Sequence, residues 1–355
     1  MFEWLERLVV RYASLDFGTA NIVLCVDGHE VLMDEPSIVV FRNSVSKGSQ
    51  IVAVGDAARP LLGRSSGSFV AMRPMRDGVI ADFEGAEALI TYALSKCVVN
   101  RFLTRTRLVI GVPANATAVE RRAISESALL AGVSRVYLVE EGVAAALGAE
   151  LDLFDPTGSM VIDIGGGTTE ITVFSSGSIT CSSSLRVAGD LLDEAIVSLV
   201  RRRFSANISE VTAEKIKIAL GAALIQDETD DGPFLEVVGR DLLTGRPRNL
   251  IIGKRAITEA LQDPIQQILE GVQAAIDNTP PEILTDLASK GVIMTGGGAL
   301  LQNMDKIVSS FIEMPVFIAE NPLHCVARGL SKIACDIPKF SHLITDTTMT
   351  SRTFR

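Results

Sequence analysis

The chain has 355 residues, long enough for two domains of ordinary size, and its 47% hydrophobic and 21% charged content exclude a disordered chain. A net charge of −10 excludes broad nucleic-acid binding. The five cysteines (25, 97, 181, 325 and 335) show no metal-ligand spacing, which suggests buried thiols in a reducing cytoplasm. The apolar runs fall short of the ~20 residues a bilayer span needs.

The N-terminus lacks the basic segment and long apolar core of a secretory signal. On a helical wheel Phe2, Trp4, Leu5, Leu8, Val9 and Tyr12 share one side, and Glu3, Glu6, Arg7 and Arg11 share the other. This predicts an amphipathic helix over residues 1–12, lying in the plane of a membrane surface or docked on its own domain. Phe102 and Leu103, in a connection further on, offer a second apolar contact for the same surface.

Next comes Ser14-Leu-Asp16-Phe-Gly18-Thr19-Ala20-Asn21, a strand and tight turn that lead into a second apolar strand. Residues 42–72 read as a small polar insertion, and 73–80 return the chain to the main body. Phe83–Val99 has helical periodicity, and 107–113 is a buried strand ending at Pro113. Thr117 and Glu120 have capping-box spacing and open a helix that stops at Gly132. The strand 136–139 delivers Glu140 and Glu141 to its C-terminal end, directly before an Ala-rich helix. The residues alone leave open whether that pair is catalytic or caps the helix.

The stretch Val161-Ile-Asp163-Ile-Gly165-Gly166-Gly167-Thr168-Thr169-Glu170 repeats the first hairpin's layout. Glycines let a backbone turn sharply and approach an anion, and successive N–H groups in such a turn form an anion site. Asp163 and Asp16 head the two hairpins, where each could hold a cation directly or through water, as the phosphates of a magnesium-bound nucleotide require. A Rossmann site is excluded, because its glycines open a helix and Thr-Glu-Ile-Thr-Val-Phe does not read as one. Two related domains with a nucleotide in the cleft between them are therefore expected.

Further on, Gly189-Asp190 opens a helix, and Glu214 and Lys217 share one face of a short helix around Lys215 and Ile216. Residues 222–252 alternate like antiparallel strands, with an acidic loop at 227–232. Asp263-Pro264 reads as a helix start inside a helical tract. Gly296-Gly297-Gly298-Ala299 is expected to lead directly into a helix whose core face is Leu300, Met304, Ile307, Val308 and Phe311. The segment 339–355 is expected to be a mobile polar tail.

Two Asp-Gly-Thr hairpins, a glutamate at a strand end between them and a late triple-glycine turn resemble the actin, sugar kinase and heat-shock chaperone ATPase superfamily. Over about 13–335 the chain resembles its bacterial actin-like cell-shape (MreB) family. The motifs that carry this are Asp16-Phe-Gly-Thr-Ala-Asn21, 73–82, 110–113, 119–123, 163–170, 188–190, 212–214, 279–282 and 295–298. The resemblance implies an α/β, actin-like ATPase fold: two related ribonuclease-H-like domains, each with a small subdomain, around a nucleotide cleft. Domain I would comprise 13–155 and 323–338 with its subdomain at about 40–75, and domain II 156–322 with its subdomain at about 190–255.

The same resemblance assigns roles. Gly18, Thr19, Ala20 and Asn21 would meet the terminal phosphates of ATP, with Gly165, Gly166, Gly167 and Thr168 on the other side and Asp16 and Asp163 around Mg2+. Gly189 and Asp190, Glu214 to Lys217, and Gly296 to Ala299 would complete the nucleotide site, while Glu141, with Thr168 beside it, would orient the attacking water. It further implies slow ATP hydrolysis and filaments of paired protofilaments on the inner face of the cell membrane. The partners implied are the cell-wall elongation machinery and its membrane-anchored adaptor. The sequence departs from the family at Gly142, where proline is expected, and a glycine there leaves the entry to the helix loose. A small-molecule kinase on the same fold is the alternative. A chaperone would need a further domain after Pro338.

Overall fold

The computed structural model describes residues 10–28, 31–44, 48–63, 69–97, 105–224 and 232–347. The proposed membrane-contact residues Phe2, Trp4, Leu5, Leu8, Val9, Phe102 and Leu103, and the acidic stretch 227–231, lie outside them.

The first half opens with a meander of β1 (Val10–Phe17), β2 (Asn21–Val26) and β3 (Met33–Pro36). A separate three-stranded sheet follows, from β4 (Val39–Ser44), β5 (Gly48–Val54) and β6 (Phe69–Met72), and then a tight hairpin of β7 (Met75–Arg76) and β8 (Val79–Ile80). Next are α1 (Phe83–Cys97), β9 (Arg105–Val112), α2 (Ala118–Leu130), β10 (Arg135–Glu140) and α3 (Glu141–Gly148). The capping box that opens α2 is complete: the Glu120 N–H donates to Thr117 Oγ1 at 3.2 Å and the Thr117 N–H to Glu120 Oε2 at 2.7 Å.

The second half repeats the meander with β11 (Ser159–Ile164), β12 (Thr169–Ser175) and β13 (Ser178–Leu185). Helix α4 (Gly189–Phe204), β14 (Ala206–Asn207), α5 (Glu210–Leu220), β15 (Phe234–Asp241) and β16 (Pro247–Gly253) follow. The chain then forms α6 (Lys254–Asp277), α7 (Pro281–Lys290), β17 (Val292–Thr295), α8 (Met304–Ile312), β18 (Val316–Ile318), α9 (Cys325–Cys335) and β19 (Ile344–Asp346).

The two main sheets share one plan. One runs β3-β2-β1-β9-β10 and the other β13-β12-β11-β17-β18, each an antiparallel meander extended by parallel strands. Strands β1 and β11 are therefore equivalent, as are the turns that follow them. Each sheet has its own apolar core, and a third cluster joins them, built from α3, α9, Val109 and Val139 on one side and Val161 and Phe174 on the other. In this middle layer α3 and α9 cross at glycines. A Cβ on Gly148 would lie 1.7 Å from the Cys325 carbonyl oxygen, and one on Gly329 would lie 1.8 Å from that of Ala144. Only glycine permits backbones to approach so closely.

Four expectations are corrected. Residues 10–12 do not continue a helix; they pair with Arg105–Arg107, and the Tyr12 hydroxyl accepts from Arg107 Nη1 at 2.6 Å. Pro264 does not start a helix but lies buried inside the 24-residue α6. Its helix-interior cost of ~3 kcal/mol is offset by the buried stripe Leu261, Ile265 and Ile268, each worth roughly 1.5–3 kcal/mol.

The triple glycine opens a four-residue 3-10 turn, Gly297–Leu300, and α8 starts only at Met304, after Asn303 in the left-handed region at φ +63°. Gly298 lies so close to Ile164 that a Cβ would meet its Cγ2 at 2.2 Å, which pins the turn to β11. Leu300 and Phe311 are consequently exposed, and Met304, Val308 and Ile312 form the core face.

The segment 339–347 is packed on the body rather than mobile, and 348–355 lie outside the described residues. Phe340 is buried in the middle cluster, and β19 adds a sixth strand to the first sheet by antiparallel pairing with β10. Backbone hydrogen bonds hold it, which side-chain periodicity does not announce.

Candidate functional site

The β1–β2 and β11–β12 turns face each other and touch. A Cβ on Gly166 would lie 2.9 Å from the Ala20 Cβ, and one on Gly167 would lie 2.5 Å from Thr19 Oγ1 and 3.0 Å from the Asp77 backbone. The β7–β8 turn, with Asp77 and Gly78 both at positive φ, closes over them. Its Gly78 N–H donates to Thr19 Oγ1 at 3.3 Å, and a Gly78 Cβ would meet both Thr168 and Pro113 at 2.8 Å. Gly166 and Gly167 on the second hairpin are required by these approaches, and the Gly165 N–H closes the turn by donating to the Thr168 carbonyl at 2.9 Å.

Four carboxylates converge beneath the turns. Asp163 on β11 and Glu170 on β12 stand opposite each other in the ladder. The Thr295 hydroxyl donates to Asp163 Oδ1 at 2.7 Å, and Ser184 Oγ donates to Glu170 Oε1 at 2.5 Å. The Ala114 N–H reaches Glu170 Oε2 at 3.1 Å. The polar row Ser184–Glu170–Asp163–Thr295 thus crosses four strands of one sheet.

Asp16 on β1 and Glu141 at the start of α3 face this row from the other half. Desolvation pushes Asp16 up to about 7, with Asp163 and Asp34 adding to the rise. It pushes Asp163 to about 6 against the lowering bond from Thr295, and Glu170 to about 7 against those from Ser184 and Ala114. Glu141 is raised well above the usual carboxylate range by desolvation, then by Glu170, Asp16 and Asp163. Such a cluster calls for a cation. Among the described residues no three His, Cys, Asp or Glu side chains form a metal cage. The residues that could hold a cation here are Asp16 and Asp163, which head the two turns; a Mg2+ ion bound with a nucleotide needs only one or two carboxylates beside phosphate oxygens and water.

Around the second turn, the Gly189 N–H donates to the Gly165 carbonyl at 3.1 Å and the Asp190 N–H to that of Gly166 at 2.7 Å. Lys217 Nζ lies 2.9 Å from both the Gly189 carbonyl and Asp193 Oδ2, so it partners Asp193 rather than Glu214. Glu214 lies 3.7 Å from Arg59. Ile216 is fully buried in the second core and Lys215 is exposed, so neither side chain joins Glu214 and Lys217. Gly296, at φ +80°, sits where a Cβ would meet Asp163 Oδ1 at 2.8 Å; Gly297 is exposed and Ala299 buried. The Asn21 amide donates to Asp34 Oδ1 at 2.7 Å, and His324 Nε2 holds the other Asp34 oxygen at 2.9 Å.

Glu170 and Arg73 lie within the quoted motifs 163–170 and 73–82, but sequence reasoning gave neither a role; a further signal for Glu170 is that it interrupts a strand of mostly apolar and β-branched residues. Arg73 Nη1 lies 3.1 Å from Asp190 Oδ1 across the cleft, beside the longer pairs Arg59–Glu214 and Arg76–Glu194. The expectation of a loose Gly142 is also corrected: it is buried and packed directly against Thr172.

Two sheets of one plan, joined by crossing helices around a cleft walled by paired Asp-Gly-Thr hairpins, define an actin-like fold. Structures of Spiroplasma citri MreB5 bound to ADP and to AMPPNP superpose with a TM-score of 0.85, at 32% and 33% identity. Each covers 94% of this chain and 98% of the neighbour. The MamK double helical filament, at 19% identity and a TM-score of 0.76 over 93% of this chain and 100% of that one, shares the fold.

The sequence pattern of the MreB/Mbl protein family matches residues 11–342, and the chain belongs to that family. Among its relatives, the cell shape-determining protein MreB of Haemophilus influenzae is 46% identical over 331 residues, covering 93% of this chain and 94% of the relative. The cell shape-determining protein Mbl of Bacillus cereus is 42% identical over 322 residues, covering 91% and 95%.

Proposed function

We propose that this chain binds Mg–ATP in the cleft, polymerises into filaments that contribute to cell shape, and hydrolyses the nucleotide slowly within them. The observation that carries this reading is the meeting of the two Asp-headed turns, Thr19-Ala20 against Gly166-Gly167, at the junction of the two sheets. A nucleotide there would bind both halves at once, so its presence favours the closed arrangement. The nucleotide-bound MreB5 structures and the cell-shape relatives support it.

In this reading the turn amides and Thr19 and Thr168 hold the phosphates, and Asp16 and Asp163 hold Mg2+, directly or through water. Bound Mg2+ supplies neutralisation of charge on the transferring phosphoryl group. Glu141 accepts a hydrogen bond from water and orients it for in-line attack, a task of positioning rather than covalent chemistry. The Gly189 and Asp190 N–H groups brace the Gly165–Gly166 turn, and Lys217 holds the Gly189 carbonyl behind them.

High-speed pelleting with and without Mg–ATP, beside a phosphotransfer assay against sugars, tests this function. Nucleotide-dependent pelleting without phosphotransfer supports it, and sugar phosphorylation without assembly replaces it with a kinase. No helix among the described residues is long and apolar enough to cross a membrane. The apolar side of residues 2–9 is proposed as a peripheral membrane contact that acts when many copies align along a filament, with avidity of ~10²–10⁴. Liposome co-flotation that requires both assembly and Trp4 supports it; equal flotation of Trp4→Glu filaments removes it.

A further inference from the structure

Helix α3 follows β10 without a linking residue, so the backbone at Glu140–Gly142 sets the direction of Glu141. That backbone is gripped from both domains. On the β9 side, a Cβ on Gly111 would lie 3.2 Å from Glu141 Cγ, so the glutamate stem rests on the bare Gly111 backbone. On the β12 side, a Cβ on Gly142 would lie 2.0 Å from Thr172 Oγ1 and 2.8 Å from Thr172 Cβ. Thr172 is fully buried, and it follows Glu170 by two residues on the same face of β12.

A row of hydroxyls connects the same threonine to the neighbouring carboxylate. Thr172 pairs in register with Ser182 on β13, and their hydroxyl oxygens are 3.4 Å apart. Ser182 Oγ in turn donates to Glu140 Oε2 at 3.4 Å. The β12–β13 ladder of one domain thus reaches both residues that flank the start of α3 in the other.

The geometry points to Thr172 as a positioning residue for Glu141. Its branched side chain fills the volume over Gly142 and fixes the first turn of α3, so the Glu141 carboxylate is aimed across the cleft. Because β12 also carries Glu170 and joins the Gly165–Thr168 turn, the contact couples the placement of the second hairpin to the aim of Glu141. The inference rests on the reading of Glu141 as the residue that orients water, so its test includes a control for that reading.

The test measures Mg–ATP affinity and the phosphate-release rate in the full chain for Glu141→Gln, Thr172→Ala and Thr172→Val. Valine keeps the branched volume and loses only the hydroxyl; alanine leaves a gap over Gly142. Thr172→Ala should release phosphate about tenfold more slowly with ATP affinity within about twofold of wild type, since misplacement of a reacting group costs rate rather than ground-state binding. Thr172→Val should retain a rate within about threefold.

Glu141→Gln separates the two ideas. A wild-type rate there removes the catalytic reading itself, whereas a slow Glu141→Gln beside a wild-type Thr172→Ala overturns the positioning role alone. If Thr172→Ala does not fold, Gly142→Ala supplies the reverse test. It should be slow alone, because its methyl meets the Thr172 hydroxyl oxygen, and should recover when combined with Thr172→Ala, which removes that oxygen. Failure of this combination to recover overturns the proposal.

Discussion

Asp163 and Glu170 stand directly opposite each other on β11 and β12, both essentially without solvent exposure. In the equivalent hairpin of the first sheet, Asp16 pairs instead with Val23. The second hairpin therefore carries one carboxylate more than the first, and two acids share a buried face.

This pair has a consequence for pH. With folded pKa values of about 6 and about 7, both carboxyls hold protons more tightly folded than unfolded. Their effect on stability is harmless at pH 4, grows as pH rises towards 7, and levels off above the folded values. Nucleotide-free protein should consequently melt at a lower temperature at pH 8 than at pH 5. Asp163→Asn should recover part of the loss, at most about 3 kcal/mol for a rise from 3.8 to about 6. Thermal melts of both proteins at the two pH values check this.

The C-terminal segment straps the two halves together. His342 Nε2 meets the Gly177 carbonyl at 3.0 Å on the β12–β13 turn, while Ile344–Asp346 pair with Val139–Tyr137 and Asp346 lies 3.3 Å from Arg135. Just before these anchors in the chain, Phe340 is buried beside Phe154. Phe340→Ala should cost about 3 kcal/mol, at the low end for a buried aromatic, and denaturant melts measure it. Truncation after Pro338 should cost at least as much.

Across the cleft, Arg73–Asp190 is the short, partly buried pair, while Arg76–Glu194 at 4.0 Å is exposed on both sides. Exposed pairs contribute roughly 0–1 kcal/mol and are screened by salt. Arg73→Ala should therefore shorten nucleotide residence several-fold, and Arg76→Ala should leave it nearly unchanged. Stopped-flow release of a fluorescent ATP analogue from the two variants decides between them.

Much of this architecture was legible in the sequence. The two Asp-Gly-Thr hairpins, the Thr117–Glu120 capping box and the delivery of Glu140 and Glu141 by a strand end each depend on local spacing, and local spacing is what a sequence displays. Glu170, Arg73 and Thr172 act through partners far away in the chain, namely Ser184 and Ala114, Asp190, and Gly142. Their roles required the folded arrangement. The tail misled for a related reason: besides buried Phe340, it is held by backbone pairing and by the distant partners of His342, Asp346 and Thr347, namely Gly177, Arg135 and Ser125, none of which its polar composition announces. Pro264 misled because a local helix-breaking rule was overridden by the tertiary burial of α6.

The central claim is that the two hairpins clamp Mg–ATP. Calorimetric titration of ATP with Mg2+ into wild-type protein and Asp163→Ala tests it most directly. We expect ATP to bind wild-type protein in a Mg2+-dependent manner, and affinity to fall by about 100-fold or more in the variant, a loss of roughly 2.7 kcal/mol. Wild-type affinity in Asp163→Ala, or binding indifferent to Mg2+, would contradict the account.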